Sequence, residues 1–533
     1  MQAPFARTLF DLVREQAQGQ PEATALVCAQ GRFSYRDLAW RATKVAGALH
    51  AAGVKRGDRV GLLLGNCVEW LDVCLGAGAV GATAVPLSTW STRSELAFLL
   101  PDAKLSVLVA SPRFGDHDFA ASLKALQGTP GVPIADQIWL LGGGDASLSS
   151  YEVMIKNAPK FEPLPPGQAA SAGDDALVLY TSGSTSAPKA VPLRHFAVIE
   201  NAFNIGERQG LTRQDRVLLS SPLFWAFGSA NALPATWSHG ATLVLMEKFD
   251  AALAIQTIAR EQCTAIYTLP AMSAAMAHHP SFDPQKLASL RTGVTIGSPE
   301  EFLFAVESLG ITELCNIYGA TETCGNCAVT WHHWPVQRRA YCQGPPLPGQ
   351  EMRFVDEATG AIVADGTPGL AEVRGYTTLG YSGTSAAQNA KAFTDDGFYR
   401  TGDMGLINAD GDFVFVGRVS EMIKRAGINV SPAEVEAVLR RHPSVKDAAV
   451  VGIPDTARGE RIFAYVVPAA AAEFDVAALL RHCATESSKY KMPDHIETCA
   501  SLPLTVTGKL QRNELKQMAI QRALVLAAAA PRP

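Results

Sequence analysis

The chain has 533 residues, of which 47% are hydrophobic and 18% charged, with a net charge of −5. That length exceeds one ordinary domain and the composition is that of a folded globular protein, so two or three units are expected. No basic block points to nucleic acid or an anionic membrane surface, and the apolar stretch Val73 to Leu87 is shorter than the ~18 residues a membrane span needs.

The N-terminus carries Asp11 and Glu15 and lacks an apolar core segment, so it does not read as a signal peptide. Ser34 starts a helix, with Asp37 three residues on as an imperfect capping box, and Leu38, Ala42, Val45 and Leu49 mark its buried face. Arg59 to Leu64 reads as a strand, Glu69 to Ala79 as a helix, and Thr83 to Val85 as a strand before a turn at Pro86. Strand and helix periods keep alternating through Val107, Ile138, Val217, Thr242–Leu245 and Ala265–Thr268. This alternation predicts an α/β fold, a large N-terminal domain of parallel or mixed sheets covered by helices. The ten cysteines are scattered along the chain, which suits a reducing compartment. A cytoplasmic protein is expected.

One stretch stands apart. The apolar run Ala176 to Tyr180 reads as a buried strand, and Thr181-Ser182-Gly183-Ser184-Thr185-Ser186-Ala187-Pro188-Lys189 follows it. Small residues let a backbone wrap closely around a ligand and aim its N–H groups at one point. Ser and Thr hydroxyls add donors, and lysine adds a mobile point charge. That chemistry suits a triphosphate. It is not the Walker pattern, because no Gly precedes Lys189 and Ala190 follows it. A polar surface turn between a strand and a helix is the competing reading.

A second character begins near Gly417. Lys424 to Val430 is a glycine-centred loop, and Ser431-Pro432-Ala433-Glu434 then reads as a full helix start, with Ser431 at the N-cap, Pro432 at N1 and Glu434 reaching back from N3. Strand-like runs Ala448–Val451 and Ile462–Val467 flank a turn at Pro454-Asp455. A small α+β domain of about 115 residues is expected here, followed by a disordered tail of small residues from Ala528 to Pro533.

Five stretches taken together resemble the acyl-adenylate-forming superfamily, which includes acyl-CoA synthetases, nonribosomal adenylation domains and beetle luciferase. They are TSGSTSAPK at 181–189, NIYGATET at 316–323, YRTGD at 399–403, GRVSEMIKRAGINVSPAEVE at 417–436 and PLTVTGK at 503–509. The resemblance runs from about residue 10 to residue 520. It implies a large adenylation domain over 1–417, a hinge at 418–420, a small mobile C-terminal domain over 421–525 and a tail at 526–533. It also implies a two-step reaction with ATP, Mg²⁺ and CoA, in which a carboxylic acid becomes acyl-AMP with pyrophosphate release and a thiol then expels AMP.

The resemblance assigns roles to residues of this chain. Thr181, Ser182, Gly183, Ser184, Thr185 and Lys189 match the loop that holds the β- and γ-phosphates. Tyr318, followed by Gly319, matches the aromatic that stacks on adenine, and Thr321 the hydroxyl donor to the α-phosphate. Glu322 matches the Mg²⁺ ligand, a hard carboxylate for a hard ion. Asp403 matches the acid that binds both ribose hydroxyls, with Arg418 in support. Lys509 matches the catalytic lysine, a cation placed between carboxylate and α-phosphate as the transition state forms. Gly427 leaves room for the pantetheine arm, with Lys424 and Arg425 as cations for the phosphates of CoA.

The chain departs from the family at several positions. Ser186 and Ala190 replace usual glycines around the phosphate loop, and Trp225 stands where many relatives carry a histidine. Gly297-Ser298-Pro299-Glu300 replaces the usual small-residue adenine loop, and Ser420 stands at the hinge where Asp or Lys is usual. Cys324 and Cys327 form a CxxC with His332 and His333 nearby. Their place after Glu322, in a segment that usually lines the acyl pocket, favours pocket or core residues over a metal or redox site.

The expected acid pocket draws on Phe224–Asn231, Tyr267–Met272, Ile296–Ser298 and Tyr318–Asn326, with Trp225, Phe227, Ser229, Gly297 and Gly325 as lining residues. These segments are apolar and aromatic, Ser229 and Asn231 excepted. No acidic residue waits there for an α-amino group, so an aryl or medium-length aliphatic acid is expected. Three functions compete: an acyl-CoA synthetase acting as monomer or homodimer, an adenylating enzyme loading a carrier protein in trans, and a non-catalytic binding protein that kept the fold. Retention of Thr321, Glu322, Asp403 and Lys509 argues against the last.

Overall fold

The structure, a computed structural model, describes residues 3–143, 147–162, 164–165, 167–181, 188–383, 386–425, 428–455, 458–469, 474–487, 491–504 and 510–529. The chain divides into two compact units. The first comprises Met1–Met352, Glu372–Arg400 and Asp410–Phe413; the second comprises Arg353–Ala371, Thr401–Ala409 and Val414–Pro533.

In the first unit the described residues form two large sheets. One is eight-stranded, in the order Ala328–Val329, Glu313–Tyr318, Thr292–Thr295, Ala265–Tyr267, Arg216–Leu219, Thr242–Leu245, Thr24–Cys28, Gly31–Ser34. Its inner pairs are parallel and its outermost pairs antiparallel. The other is seven-stranded, in the order Lys189–Arg194, Asp175–Thr181, Thr83–Pro86, Arg59–Leu63, Val107–Ala110, Ile138–Leu140, Ser149–Ser150.

Both sheets are buried on two faces, and the alternation of side chains along each strand shows it. Val217 and Leu219 join one core cluster and Leu218 another. Leu177 and Leu179 join the first cluster, and Val178 a third. The shared cluster lies between the sheets and holds helices Tyr35–Ala51, Val68–Ala79 and His195–Gln209. The second packs helices Ala251–Glu261 and Pro299–Leu309 on the first sheet, and the third packs Arg93–Ala103 on the other. The result is five layers, in which the apolar strands leave no polar face.

The expected elements stand close to their places. Helix Tyr35–Ala51 has Ser34 at its N-cap, and the box with Asp37 closes in both directions. The phosphate-loop region differs from a strand-turn-helix. Strand Asp175–Thr181 pairs antiparallel with Lys189–Arg194, Thr181 opposite Lys189, so the motif joins two strands of one hairpin.

The second unit is built on strands Val445–Asp455 and Gly459–Pro468, paired antiparallel along their whole lengths. Pro454 and Asp455 therefore belong to a strand and are not the turn expected there. Ala448 and Val450 face helices Pro432–Arg440 and Val476–Glu486, while Ala449 and Val451 face helix Arg512–Ala529. The stretch expected to be a loop, Lys424 to Val430, instead falls largely in two short paired strands, Ile423–Arg425 and Ile428–Val430. Ser431 does precede helix Pro432–Arg440, but it makes no cap. Its Oγ donates to Val416 O at 2.9 Å, and Glu434 pairs with Lys491 at 2.9 Å. The last helix runs to Ala529, into the stretch expected to be a tail; alanine is the strongest helix former, so a run of it prolongs the helix.

One buried histidine makes stability depend on pH. His195, 2% exposed, accepts from Leu9 N–H at 3.2 Å through Nδ1. Burial pushes its imidazole down to about 4 from the ordinary 6.5. The unfolded chain therefore takes up a proton before the folded one does. The contribution is fully present above pH 6.5 and is lost as pH falls from there through about 4, a span worth roughly 3 kcal/mol. His195→Asn keeps an acceptor for Leu9 and cannot titrate. Chemical denaturation of the variant between pH 7 and 4 is expected to show a shallower loss than the parent, by about that amount.

Candidate active site

The site grows from the end of strand Glu313–Tyr318. After Tyr318 the chain passes Gly319 and Ala320 into a single 3₁₀ turn, Thr321–Thr323, then folds back so that Cys327 N–H donates to Tyr318 O at 2.9 Å. This return needs glycine. A Cβ on Gly319 would overlap Gly325 O and Asn326 Cα, and Gly325 itself has φ +93°. Cys324 also takes a left-handed conformation, φ 54°. Both cysteines of the CxxC are buried. Burial pushes the Cys324 thiol up to about 12, and the Cys327 thiol donates to Tyr318 O at 3.7 Å.

The turn holds Glu322 at 7% exposure, while Thr321 beside it is half-buried. Glu322 Oε1 accepts from the Tyr381 hydroxyl at 2.9 Å, and its carbonyl accepts from Thr378 N–H at 2.8 Å. Lys189 Nζ lies 4.8 Å from the centroid of the same Tyr381 ring. A cation over a ring face is attracted by the ring's electrons. Burial, and then the Glu322 carboxylate, push the Tyr381 phenol up, so it stays a proton donor to Glu322. Ser382 ties this segment to the hairpin: its N–H donates to Ala190 O at 2.9 Å, and its Oγ accepts from Arg59 Nη2 at 2.7 Å. Lys189, Tyr381 and Glu322 thus form one connected group. The sequence reading overlooked Tyr381, because nothing in spacing or period links position 381 to 322.

Tyr318 is buried, with its ring centroid 4.5 Å from that of Phe413. The loop before Trp225 is pinned by Asn66, also overlooked. Asn66 Nδ2 donates to the carbonyls of Ser221 and Met246 at 3.0 Å, and Oδ1 accepts from Leu223 N–H at 2.8 Å. Residues Phe227–Ala232 then form a π-helical segment running into helix Leu233–Ser238, a widened turn of the kind found at functional sites. Trp225 is half-buried and meets Trp90 edge to face at 5.2 Å. Phe227 packs on Tyr267 at 5.1 Å. The Ser229 hydroxyl donates to Trp225 O at 3.1 Å, so the helix itself engages it. A Cβ on Gly325 would sit 3.5 Å from Asn231 Nδ2 and 3.6 Å from Ala226 O, which brings the 224–231 segment and the Glu322 turn together. Gly297 stands differently. It is exposed, and Ser298 after it caps helix Pro299–Leu309 in a box with Glu301. The stretch in place of the usual adenine loop is therefore a helix start.

In the second unit Asp403 lies 3.4 Å from Arg418 Nε, and its N–H donates to Thr401 Oγ1 at 3.0 Å. Ser420 sits in a short 3₁₀ turn, Val419–Glu421. Arg425 corrects an expectation. It binds Asp494 and the Met492 carbonyl, both at 2.7 Å, with its side chain 11% exposed; it is committed within the fold rather than presented to a ligand. Lys424 Nζ lies 3.8 Å from Glu357. Ser182, Gly183, Ser184, Thr185, Ser186, Gly427 and Lys509 lie outside the described residues.

Residues 13–381 match the AMP-binding enzyme family, and residues 434–509 match the AMP-binding enzyme C-terminal domain. Among curated proteins the chain is 29% identical to a putative acyl-CoA synthetase YngI of Bacillus subtilis, over 96% of this chain and 97% of that one. It is 31% identical to the acyl-CoA ligase sidI of Aspergillus fumigatus, over 98% and 93%. Among solved structures, ATP-bound MatB from Rhodopseudomonas palustris superimposes with a TM-score of 0.86 at 26% identity, covering 96% of this chain and 99% of MatB. The anthranilate CoA ligase AuaEII in complex with anthranoyl-AMP gives 0.86 at 28% identity, covering 98% and 99%. The chain belongs to the AMP-binding enzyme family, the acyl-adenylate-forming enzymes that its five motifs resemble.

Proposed function

We propose that this protein is an AMP-forming acid–thiol ligase that converts an aryl or medium-chain carboxylic acid to its CoA thioester. The observation that carries the reading is the buried Glu322, locked by Tyr381 with Lys189 over the same ring. In the first half-reaction a carboxylate oxygen attacks the α-phosphorus of ATP, and the bond to the bridging oxygen of pyrophosphate breaks. In the second, the thiol sulfur of CoA loses its proton and attacks the acyl carbonyl, and the bond to AMP breaks.

Thr321 donates to the α-phosphate, Lys189 and the 181–185 hydroxyls and amides hold the outer phosphates, and Asp403 with Arg418 takes the ribose. Lys509 serves the first transition state. Glu322 fits a magnesium ion. Its Oε1 is fixed by Tyr381, whereas among the described residues no bond engages Oε2. Nor do the described residues hold a cluster of three His, Cys, Asp or Glu, which suits an ion completed by substrate phosphates and water. Bound there, Mg²⁺ would neutralise charge on the phosphates as pyrophosphate departs.

Aromatic walls at Trp225, Phe227 and Tyr267 support an apolar acid. Relatives point the same way: AuaEII is an anthranilate CoA ligase, and the bovine protein ACSF2, 28% identical, is a medium-chain acyl-CoA ligase. All ten cysteines are free thiols, which supports the cytoplasm, and no helix of the described residues is long and apolar enough to cross a membrane. A pyrophosphate-release screen over a panel of carboxylic acids, with and without CoA, tests the whole reading. Release with an aryl or medium-chain acid, and thioester only when CoA is added, is expected. No release with any acid would overturn it.

Two predictions belong to this site. Tyr381→Phe keeps the ring under Lys189 but removes the donor that orients Glu322. Partners of this kind typically change metal affinity by about 10–100-fold, so the Mg²⁺ concentration for half-maximal pyrophosphate release is expected to rise within that range. Trp225→Ala opens a wall of the acid pocket. Because Trp225 is only half-buried, the melting temperature is expected to change little while the ranking of acids changes. A folded variant with the parental ranking would remove Trp225 from the pocket.

A further inference from the structure

A chain of hydrogen bonds in the first unit runs between two buried polar atoms that have no partner among the described residues, Gln209 Oε1 at one end and Asn231 Nδ2 at the other. Gln209 Nε2 donates to Ile205 O at 3.2 Å and to the Tyr267 hydroxyl at 3.0 Å. A backbone carbonyl only accepts, so this contact fixes which end of the Gln209 amide is nitrogen. Tyr267 then accepts from Gln209 and must donate onward, to Asn231 Oδ1 at 3.3 Å. That in turn fixes Asn231: its oxygen faces Tyr267, and its Nδ2 faces away. Asn231 is fully buried, and among the described residues its Nδ2 has no hydrogen-bond partner. Leaving a buried donor unpaired is costly, and this one is held in place by three residues rather than left free to turn.

The direction it faces is informative. A Cβ on Gly325 would lie 3.5 Å from both Nδ2 and Cβ of Asn231, so the amide lies against the loop that carries Glu322. Gly325 is three residues from Glu322, a reach of roughly 10 Å at full stretch. Phe227, one helical turn before Asn231, packs on the Tyr267 ring. The donor therefore lies against the loop that carries Glu322, in the same π-helical segment as Phe227.

We propose that Asn231 is a specificity-determining residue that selects acids bearing a hydrogen-bond acceptor, such as a methoxy, acyl or nitro group, on the part of the molecule remote from the carboxylate. Tyr267 and Gln209 are positioning residues that hold the amide with its nitrogen toward the substrate. The inference rests on the ligase reading above and names the substrate class of that site. A pocket built to hydrogen-bond a substrate group rejects the analogue lacking it far more strongly than an apolar pocket rejects a missing methylene. A substituent that can only donate at that remote position, such as a ring amino group far from the carboxylate, is disfavoured, because donor would meet donor.

The test compares kcat/KM for sets of benzoates carrying methoxy, nitro, ethyl or amino groups at each ring position. For at least one position the parent protein is expected to favour methoxy or nitro over ethyl by about tenfold or more. Asn231→Leu is expected to bring that ratio close to one. Tyr267→Phe leaves Asn231 in place but removes the lock. The amide can then present its oxygen, so the amino acid is expected to gain on the methoxy acid, a change of sign that mere loss of folded protein cannot produce. Equal ratios in the parent and in Asn231→Leu, or unchanged ratios in Tyr267→Phe, would overturn the inference while leaving the ligase reading intact. Failure of the parent protein to activate any acid would overturn both.

Discussion

Lys509→Ala is expected to cut acyl-AMP formation by about 10²–10³-fold, the loss typical of one charge partner in a transition state. As the acid attacks, two anionic groups must approach: the carboxylate and the α-phosphate of ATP. Lys189 and Glu322 cannot perform this task. Lys189 Nζ is placed over the Tyr381 ring, and Glu322 is itself an anion held by the Tyr381 hydroxyl. The resemblance of the motif PLTVTGK assigns that cation to Lys509, and strand-like pairing of Leu504 with Leu510 brackets the segment. Thioester formation from supplied acyl-AMP no longer passes through the first transition state, so it is expected to survive the substitution largely intact. The measurement is ATP–pyrophosphate exchange set against thioester release from synthetic acyl-AMP. Equal losses in the two would remove Lys509 from its assigned role.

How far the sequence carries depends on whether a feature is local. Strand and helix periods located most elements of the first unit, because each strand is buried on both faces and reads as an apolar run, as Val217, Leu218 and Leu219 do. The capping box at Ser34 and Asp37 was equally plain, since three residues make it. The same pattern at Ser431 and Glu434 did not close, because Val416 O and Lys491, far along the chain, offered those side chains other partners. Arg425 was misread for the same reason; its carboxylate, Asp494, is 69 residues away. Within the site, Glu322 was legible from its motif. Tyr381 and Asn66 were not, since their meaning lies in contacts across 59 and 157 residues. The polarity of the Asn231 amide is hidden still more deeply: it follows from a carbonyl at Ile205, three hydrogen bonds away.

Gly427→Leu is expected to abolish thioester formation and leave ATP–pyrophosphate exchange intact. Acyl-AMP is a mixed anhydride, and a passage open enough for free entry of water would let it hydrolyse. The thiol must therefore arrive through a narrow channel. The family resemblance runs the pantetheine arm beside the glycine loop of the small domain, which here is Lys424 to Val430. Strands Ile423–Arg425 and Ile428–Val430 pair with Arg425 opposite Ile428; Gly427 itself lies outside the described residues. A leucine at 427 would add four carbons beside the arm. Because Arg425 is bound to Asp494 and Met492, the two flanking cations cannot both be reserved for the phosphates of CoA, and the choice of acceptor falls to experiment. Full turnover with free CoA supports the synthetase. Turnover only with a phosphopantetheinylated carrier protein would instead make this an enzyme that loads a partner. Intact exchange in Gly427→Leu shows that the variant is folded, so a normal thioester rate in that same variant would place the channel elsewhere.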